Sequence, residues 1–481
     1  MAGRVGQVRD DVPVSSTRDT AATIAAQREA SRRLALTKRM REAEEAILAR
    51  APEHDLQPSL DRIQAVMELL GDPQRSFPAI HLTGTNGKTS TTRIIEAILR
   101  EHDLTTGRFT SPHLHSIRER IALDGSPIDI ERFVAAYDEV APYLDLVDDR
   151  SVSEGGPRMT YFEAVVAIAY AVFADVPVEV AVVEVGMGGA CDATNVIDAP
   201  VSVITPIALD HQHFLGDRVT DIAIEKAGII KPEGIAVIGL QEDPEVVEIL
   251  RDRAEAVGAR AVYEGHDFGV TERDVAVGGQ QISVRGLAAE YEDLYLPLYG
   301  THQAQNAAVA IAAVEAFIGG GEKPLDIEVL RAGLARATSP GRLEIVRRSP
   351  TVLVDAAHNP AGATVLAAAV RDSFTFSRLI GVIAILKDKD ASEMLEILEP
   401  VLDEVVISRT TSPRAMAPAE LGALAAEIFG EHRVSVIADL PDALDRAAEL
   451  ADEGGVAGAV LATGSVTTAA DVRMLLGHGE A

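Results

Sequence analysis

Four polar clusters interrupt apolar runs in the first half of the chain, and each has residue types suited to handling phosphate or metal. The first is Thr83-Gly84-Thr85-Asn86-Gly87-Lys88-Thr89-Ser90, directly after the apolar stretch Ala79-Ile80-His81-Leu82. A buried strand that runs through a glycine turn into a helix aims free backbone N–H groups and the positive end of the helix dipole at an anion. Gly84 and Gly87 let the backbone approach phosphates, Lys88 reaches the β and γ oxygens, and the hydroxyl of Thr89 or Ser90 suits Mg²⁺. The spacing departs from the common P-loop pattern, because Leu82 stands where its first glycine would be. A structural turn carrying a surface lysine is the plainer alternative.

The second cluster, Glu184-Val185-Gly186-Met187-Gly188-Gly189 followed by Asp192-Ala193-Thr194-Asn195, puts a carboxylate at the end of an apolar run. Strand ends of this kind carry metal and substrate ligands in α/β sheets, and Mg²⁺ favours carboxylates. Glu184 could equally cap a turn. The third, Leu209-Asp210-His211-Gln212-His213, again follows a β-branched run. Asp210 and His211 suit metal or phosphate chemistry, with a structural histidine as the even alternative. In the fourth, Glu225-Lys226-Ala227-Gly228-Ile229-Ile230-Lys231, Lys226 lies in an apolar helical stretch. It must be paired, snorkel, or be chemically altered, because a lone buried ammonium is costly. Further on, Asn306, Arg342 and the run Asp355-Ala356-Ala357-His358-Asn359-Pro360 place polar groups where a second unit could meet a nucleotide held by the first.

Elements able to position these clusters are legible around them. Strands are expected at 79–82, 178–185, 201–207 and 235–240, with helices at 90–100, 161–173, 222–227, 244–257 and 304–317. Residues 36–70 have helical spacing, with Ile63, Val66, Met67 and Leu70 on one face. Residues 260–299, with a turn at Gly278-Gly279, read as a small β-rich appendage. Beyond Ala337-Thr338-Ser339-Pro340-Gly341, strands at 351–354, 379–385, 405–407, 434–437 and 459–462 alternate with helical segments. The fold class is therefore α/β: an N-terminal P-loop-type parallel-sheet ATPase domain and a C-terminal Rossmann-like doubly wound domain. The expected division is a disordered or marginally helical tail over 1–35, an ATP-binding domain over 36–337 and a C-terminal domain over 341–481.

Composition narrows the partners. At 481 residues the chain holds more than one core, and its apolar fraction of 47% is ample to build them. A net charge of −30, 4% aromatics and no Trp argue against nucleic acid and anionic membranes. A small anion is still accommodated, since salt screens distant charge over about 8 Å. The single cysteine, Cys191, fits a reducing compartment and reads as a small filler. No apolar run approaches the ~20 residues of a membrane span, so the expectation is a cytoplasmic protein.

Taken together, the motifs resemble the Mur ligase superfamily, and within it the folylpolyglutamate synthase / dihydrofolate synthase branch. The resemblance rests on Gly84–Lys88, Phe109-Thr110-Ser111-Pro112-His113-Leu114, Tyr161-Phe162-Glu163, Glu184–Asn195, Leu209-Asp210-His211 with Leu215-Gly216, and Glu225–Lys231. His302-Gln303 with Asn306, Pro340-Gly341-Arg342, Asp355 with His358-Asn359-Pro360, and Thr463-Gly464-Ser465 extend it, so that it spans about residues 36–475. Thr89 departs from the glycine common in the folate branch, and Val466-Thr467-Thr468 from its bulkier continuation. The resemblance implies that ATP phosphorylates the terminal carboxylate of a folate or pteroate, and that the amine of L-glutamate attacks the acyl phosphate. It implies that Gly84–Ser90 grip the triphosphate, that Ser111, Glu184 and His211 ligate two Mg²⁺ ions, and that Lys226 is carbamylated. It further implies nucleotide contacts from Asn306, Arg342, Asp355 and His358, and a pterin site around Asp192, Ala193, Thr194 and Asn195. Lys88, Lys226 and His211 are the expected catalytic groups, in a chain expected to be monomeric. The alternatives are a cell-wall amino-acid ligase and a P-loop ATPase that acts as a switch.

Overall fold

A computed structural model describes residues 3, 16–51, 59–453 and 457–479. Among the described residues, eleven strands precede residue 300: β1 Ala79–Thr83, β2 Thr106–Phe109, β3 Ile121–Leu123, β4 Ser126–Pro127, β5 Val180–Glu184, β6 Val201–Ile204, β7 Ile235–Ile238, β8 Arg260–Tyr263, β9 Gly269–Ala276, β10 Gly279–Arg285 and β11 Glu290–Leu296. The first eight form one sheet in the order β4-β3-β2-β5-β1-β6-β7-β8, parallel except for the β3 and β4 edge. Its central strands are apolar on both faces because helices cover both. Ile80, Leu82, Val180 and Val182 pack on the side of helices Lys88–Glu101 and Thr301–Gly319. Their neighbours Ala79, Ala181 and Val183 face the opposite side, against helices Ile130–Ser153 and Tyr161–Asp175.

The second unit adds β12 Glu344–Arg348, β13 Thr351–Val354, β14 Arg378–Ile383, β15 Glu404–Ile407, β16 Val434–Val436 and β17 Gly458–Thr463, ordered β12-β13-β17-β14-β15-β16. Alternation along these strands again divides two cores: Leu353, Leu379, Ile383 and Leu461 on one face, Val352, Val354, Ile380 and Val460 on the other. The expected doubly wound sheet is present, with one departure: β12 pairs antiparallel to β13 at the edge. That strand, Glu-Ile-Val-Arg-Arg, carries too much charge for a central strand, and an edge accepts it.

Two further expectations are refined and one is corrected. The tail read over 1–35 overlaps a 33-residue helix, Ser16–Leu48, whose sequence is rich in the helix formers Ala and Arg. Met40, Ala43 and Ile47 anchor it at helical spacing, and Arg32 and Arg39 pair with Glu131 and Asp138 of helix Ile130–Ser153. The helical spacing of 36–70 divides between this helix and Asp61–Leu69, with 52–58 outside the described residues. Residues 260–263 join the main sheet as β8; the separate antiparallel sheet is β9 to β11 alone.

Candidate active site

The sheet order reverses around β1, whose neighbours are β5 and β6, and α/β sheets bind ligands beyond the carboxyl ends of strands at such a point. Three loops meet there: 84–87 after β1, 185–195 after β5 and 205–211 after β6. Gly84 touches the β6 loop so closely that a Cβ would fall 1.9 Å from Thr205 Oγ1. Gly87, at φ +88°, is the left-handed N-cap of helix Lys88–Glu101, and no side chain caps the helix N–H groups. They remain available to an anion. Thr205 Oγ1 donates to Asn86 O (2.7 Å) and Thr85 Oγ1 to Ala208 O (2.9 Å), stitching the loop to its neighbour.

Lys88 Nζ folds over this loop, donating to Gly84 O (2.9 Å) and Thr85 O (3.2 Å). Burial lowers its pKa, while the Glu184 and Asp210 carboxylates act the other way. Thr89 Oγ1 donates to Glu184 Oε1 (2.8 Å), and the Ser111 N–H donates to Glu184 Oε2 (3.3 Å). Of the two hydroxyls offered by the sequence, Thr89 therefore faces the carboxylate. Ser90 turns to the hinge, with its Oγ 2.8 Å from Ser339 Oγ. Glu184 is buried, which raises its pKa against the pull of Lys88. A buried carboxylate flanked by two hydroxyl-bearing residues is a hard-oxygen donor set that fits Mg²⁺. Among the described residues no three His, Cys, Asp or Glu side chains converge on one point, so phosphate and water oxygens must complete any coordination.

Lys226 answers the question its sequence posed. Its Nζ donates to Gly84 O (2.8 Å) from a buried position, and Glu225 turns its carboxylate to the Cys191 N–H instead. Burial, with Lys88 adding to it, brings Lys226 down to about 7. His211, at φ +53°, caps the short helix Gln212–Leu215 from a solvent-accessible position at the cavity rim, where partial desolvation lowers its pKa despite Asp210 beside it. Its imidazole is neutral at pH 7, the form able to bind a metal.

From the second unit, Asp355 accepts the N–H groups of Leu343 and Ala357, both at 2.8 Å, and Arg342 opposes the rise that burial causes in its pKa. Arg342, Asp355 and His358 line one cavity of about 170 Å³ with Gly84–Ser90, Ser111, Glu184, His211, Lys226 and Asn306. Asn306 sits against Gly87, where a Cβ would come 2.6 Å from its Oδ1. The cavity shares Ser111, Met187, His211 and Val466 with a cleft of about 1560 Å³ between the units.

Asp192–Asn195 do not line that cavity. Asp192 accepts from the N–H of Met187 and Thr194 (2.9 Å each) and from Thr194 Oγ1 (2.5 Å). Asn195 Nδ2 donates to Ala190 O (3.0 Å) and Gly228 O (3.3 Å), while its buried Oδ1 has no partner among the described residues. Asp192 and Ala193 do line a separate pocket of about 280 Å³, with Arg62, Phe162, Glu163 and Phe214. Sequence reasoning missed Arg62 there. It also missed Lys389, whose Nζ lies 2.5 Å from Asp210 Oδ1. The run Lys387-Asp388-Lys389-Asp390 after β14 was the available signal, a strand-end polar cluster like the others.

Two family models match the chain: "Mur ligase middle domain" over 153–314 and "Mur ligase, glutamate ligase domain" over 341–466. A dihydrofolate synthase/folylpolyglutamate synthase of Mycobacterium tuberculosis is 49% identical over 449 residues, covering 89% of this chain and 92% of the relative. One from Bacillus subtilis is 36% identical over 423 residues, 88% and 95% of the two chains. The solved M. tuberculosis folylpolyglutamate synthase complexed with ADP superposes with a TM-score of 0.87 at 48% identity, covering 92% of this chain and 99% of its own. A folylpolyglutamate synthase complex with AMPPCP and folate gives 0.76 at 32%, covering 91% and 99%. A shared fold, a shared site and identity along most of both chains lead to one conclusion: the chain belongs to the Mur ligase family, in its folylpolyglutamate synthase / dihydrofolate synthase branch.

Proposed function

We propose that this chain joins L-glutamate to reduced folates, and to dihydropteroate, at the expense of ATP through an acyl phosphate. The observation that carries the reading is one cavity in which Lys88, Thr89 and Glu184 of the first unit meet Arg342 and Asp355 of the second. That is a nucleotide site opening into a cleft wide enough for an acceptor and an amino acid. Relatives named for both activities support the double specificity, and the pocket around Arg62, Phe162 and Asp192 is suited to the pterin. Arg62 already pairs with Glu163 there at 3.1 Å, so a polar edge and an aromatic wall are both in place.

In this reading the helix N–H groups and Lys88 hold the β and γ phosphates, Arg342 steadies the transferring phosphoryl group, and Asn306, Asp355 and His358 hold the nucleoside side. Glu184, Ser111 and His211 would hold Mg²⁺, which neutralises phosphate charge as it moves. Lys226 is a neutral amine in about half of molecules at pH 7. Such an amine adds CO₂ with loss of one proton, and the buried cation becomes a carboxylate. The remaining work is positioning, since acyl transfer between bound groups gains more from alignment and charge stabilisation than from a protein nucleophile. We further place the chain in the cytoplasm as a monomer, with units at 36–337 and 341–481; no described helix is long and apolar enough to cross a membrane. Incubation with ATP, Mg²⁺, labelled glutamate and either dihydropteroate or tetrahydrofolate tests the reading. Glutamate-dependent phosphate release with label in the acceptor is expected; ATP hydrolysis indifferent to glutamate and acceptor would overturn it.

A further inference from the structure

Beside the nucleotide cavity lies a second chamber of about 220 Å³, lined by Arg93, Arg108, Arg342, Arg473, His478 and Glu119. Four guanidiniums around so small a space, in a chain of net charge −30, require counter-charge. Two have it: Arg108 pairs with Glu96 and Arg473 with Glu344. Two do not. Arg93 Nε donates to Thr338 O (2.9 Å) and Arg342 Nη1 to Gly341 O (3.3 Å), both neutral carbonyls. Glu119, the one carboxylate in the lining, already accepts the N–H groups of Leu114, His115 and Ser116. Burial, and then Arg108, push the Arg93 guanidinium down to about 9 against the opposite pull of Glu96 and Glu119; four guanidiniums and one carboxylate in the lining still leave positive charge in excess. An anion would relieve this excess.

The chamber shares Thr89 and Arg342 with the nucleotide cavity, so it adjoins the phosphate end of that site and not the nucleoside end. We propose that it is an inorganic phosphate site, which receives the phosphate released when the amide forms. The proposal rests on the ligase reading above. When the amine of glutamate attacks the acyl phosphate, a C–N bond forms, the C–O bond to phosphate breaks and the amine loses a proton. A phosphate dianion is left beside the nucleoside diphosphate. The chamber offers it two guanidiniums that, among the described residues, have no carboxylate at ion-pair distance, one of them, Arg342, shared with the site it leaves. Charge-assisted bonds to such a ligand are each strong enough to change affinity about tenfold.

The test is equilibrium dialysis of labelled inorganic phosphate against the full chain saturated with a β,γ-methylene ATP analogue, which fills the γ-phosphate position. One phosphate per chain is expected in the wild type. Arg93→Gln should weaken it about tenfold, and Arg93→Lys, which keeps the charge, should retain most of it. Analogue affinity and the melting temperature serve as controls for folding. No phosphate bound by the analogue-loaded wild type, or binding equal in Arg93→Gln, would overturn the proposal. So would a raised KM for glutamate with phosphate binding unchanged, which would make the chamber a carboxylate site. Failure of the analogue itself to bind would count against the nucleotide site and the ligase reading instead.

Discussion

At the scale of single residues, Lys226 shows how burial alone prepares a chemical group. Its ammonium has a carbonyl and no carboxylate as its hydrogen-bond partner, and its pKa falls from the usual 10.5 to about 7. The unfolded chain then binds one more proton than the folded chain between about pH 7 and 10.5, so this residue makes stability rise with pH across that window. The neutral amine grows from about one-tenth at pH 6 to about nine-tenths at pH 8. Incorporation of ¹³CO₂ into Lys226, followed by NMR at fixed dissolved CO₂, is expected to grow in step, and Lys226→Arg should show none. Lys88 and Glu184 give a sharper expectation. Lys88→Ala and Glu184→Ala should each lower kcat for ligation by about 10²-fold or more while circular dichroism is unchanged, as when a charge-stabilising group is removed from a preorganised site. Robust activity in either variant would sever that residue from the chemistry.

At the scale of elements, the phosphate loop works because its backbone has no room to move. Gly87 has φ +88° and lies against Asn306. Gly87→Ala must therefore strain the loop or push Asn306 aside, at a cost of about 1–2 kcal/mol. The expected outcome is a KM for ATP raised about tenfold, read in the ligation assay, with little change in KM for glutamate. Helix Tyr161–Asp175 presents Phe162 and Glu163 to the proposed pterin pocket from its first turn. A capping box fixes that turn: Thr160 Oγ1 accepts the Glu163 N–H at 3.1 Å, and Glu163 Oε2 accepts the Thr160 N–H at 2.7 Å. Thr160→Ala should cost about 1 kcal/mol in chemical denaturation and raise KM for dihydropteroate more than for ATP. Many of these elements were readable in advance. The β1 strand and the helix after it have the apolar spacing their burial demands, and helix Pro244–Val257 begins on an Asp243 cap and ends on Gly258. Strands β2 to β4 were not readable: Thr-Gly-Arg-Phe carries a buried Arg108 whose partner, Glu96, sits on another element. No local pattern announces a charge that is neutralised from afar.

At the scale of the whole molecule, one carboxylate gathers several of the contacts that join the two units across the site. Asp210, in the first unit, is bound by three groups of the second: Lys389 Nζ (2.5 Å), Asn359 Nδ2 (2.9 Å) and His358 Nε2 (3.3 Å). Burial alone would raise its carboxyl, but His358, His211 and Lys389 hold it well below the usual range. Asp210→Asn would leave Lys389 buried without its counter-charge, a loss of about 3 kcal/mol for such a pair. The variant is expected to melt lower, to show a larger radius of gyration by X-ray scattering, and to lose kcat while still binding nucleotide. A variant as compact and as active as the wild type would show that the units are held elsewhere, for instance by Arg273–Asp372 or the Tyr299–Phe374 contact.

What the sequence determined by itself was local: the glycine loop between a strand and a helix, the carboxylate closing β5, the lysine in an apolar helix, and the alternating strands of two α/β units. Each follows from short-range rules of backbone freedom, periodicity and solvation, which act over a few residues. What only the tertiary structure decided was which groups meet. It gave Glu184 the hydroxyl of Thr89 and turned Ser90 to the hinge. It set Lys226 beside Gly84 and turned Asp192 and Ala193 to a pocket apart from the phosphate loop. It also gathered arginines from four separate segments into one chamber. Those outcomes depend on the order of strands in a sheet and the docking of two units, and hydrogen bonds and ion pairs reach only a few ångströms once that docking has been made.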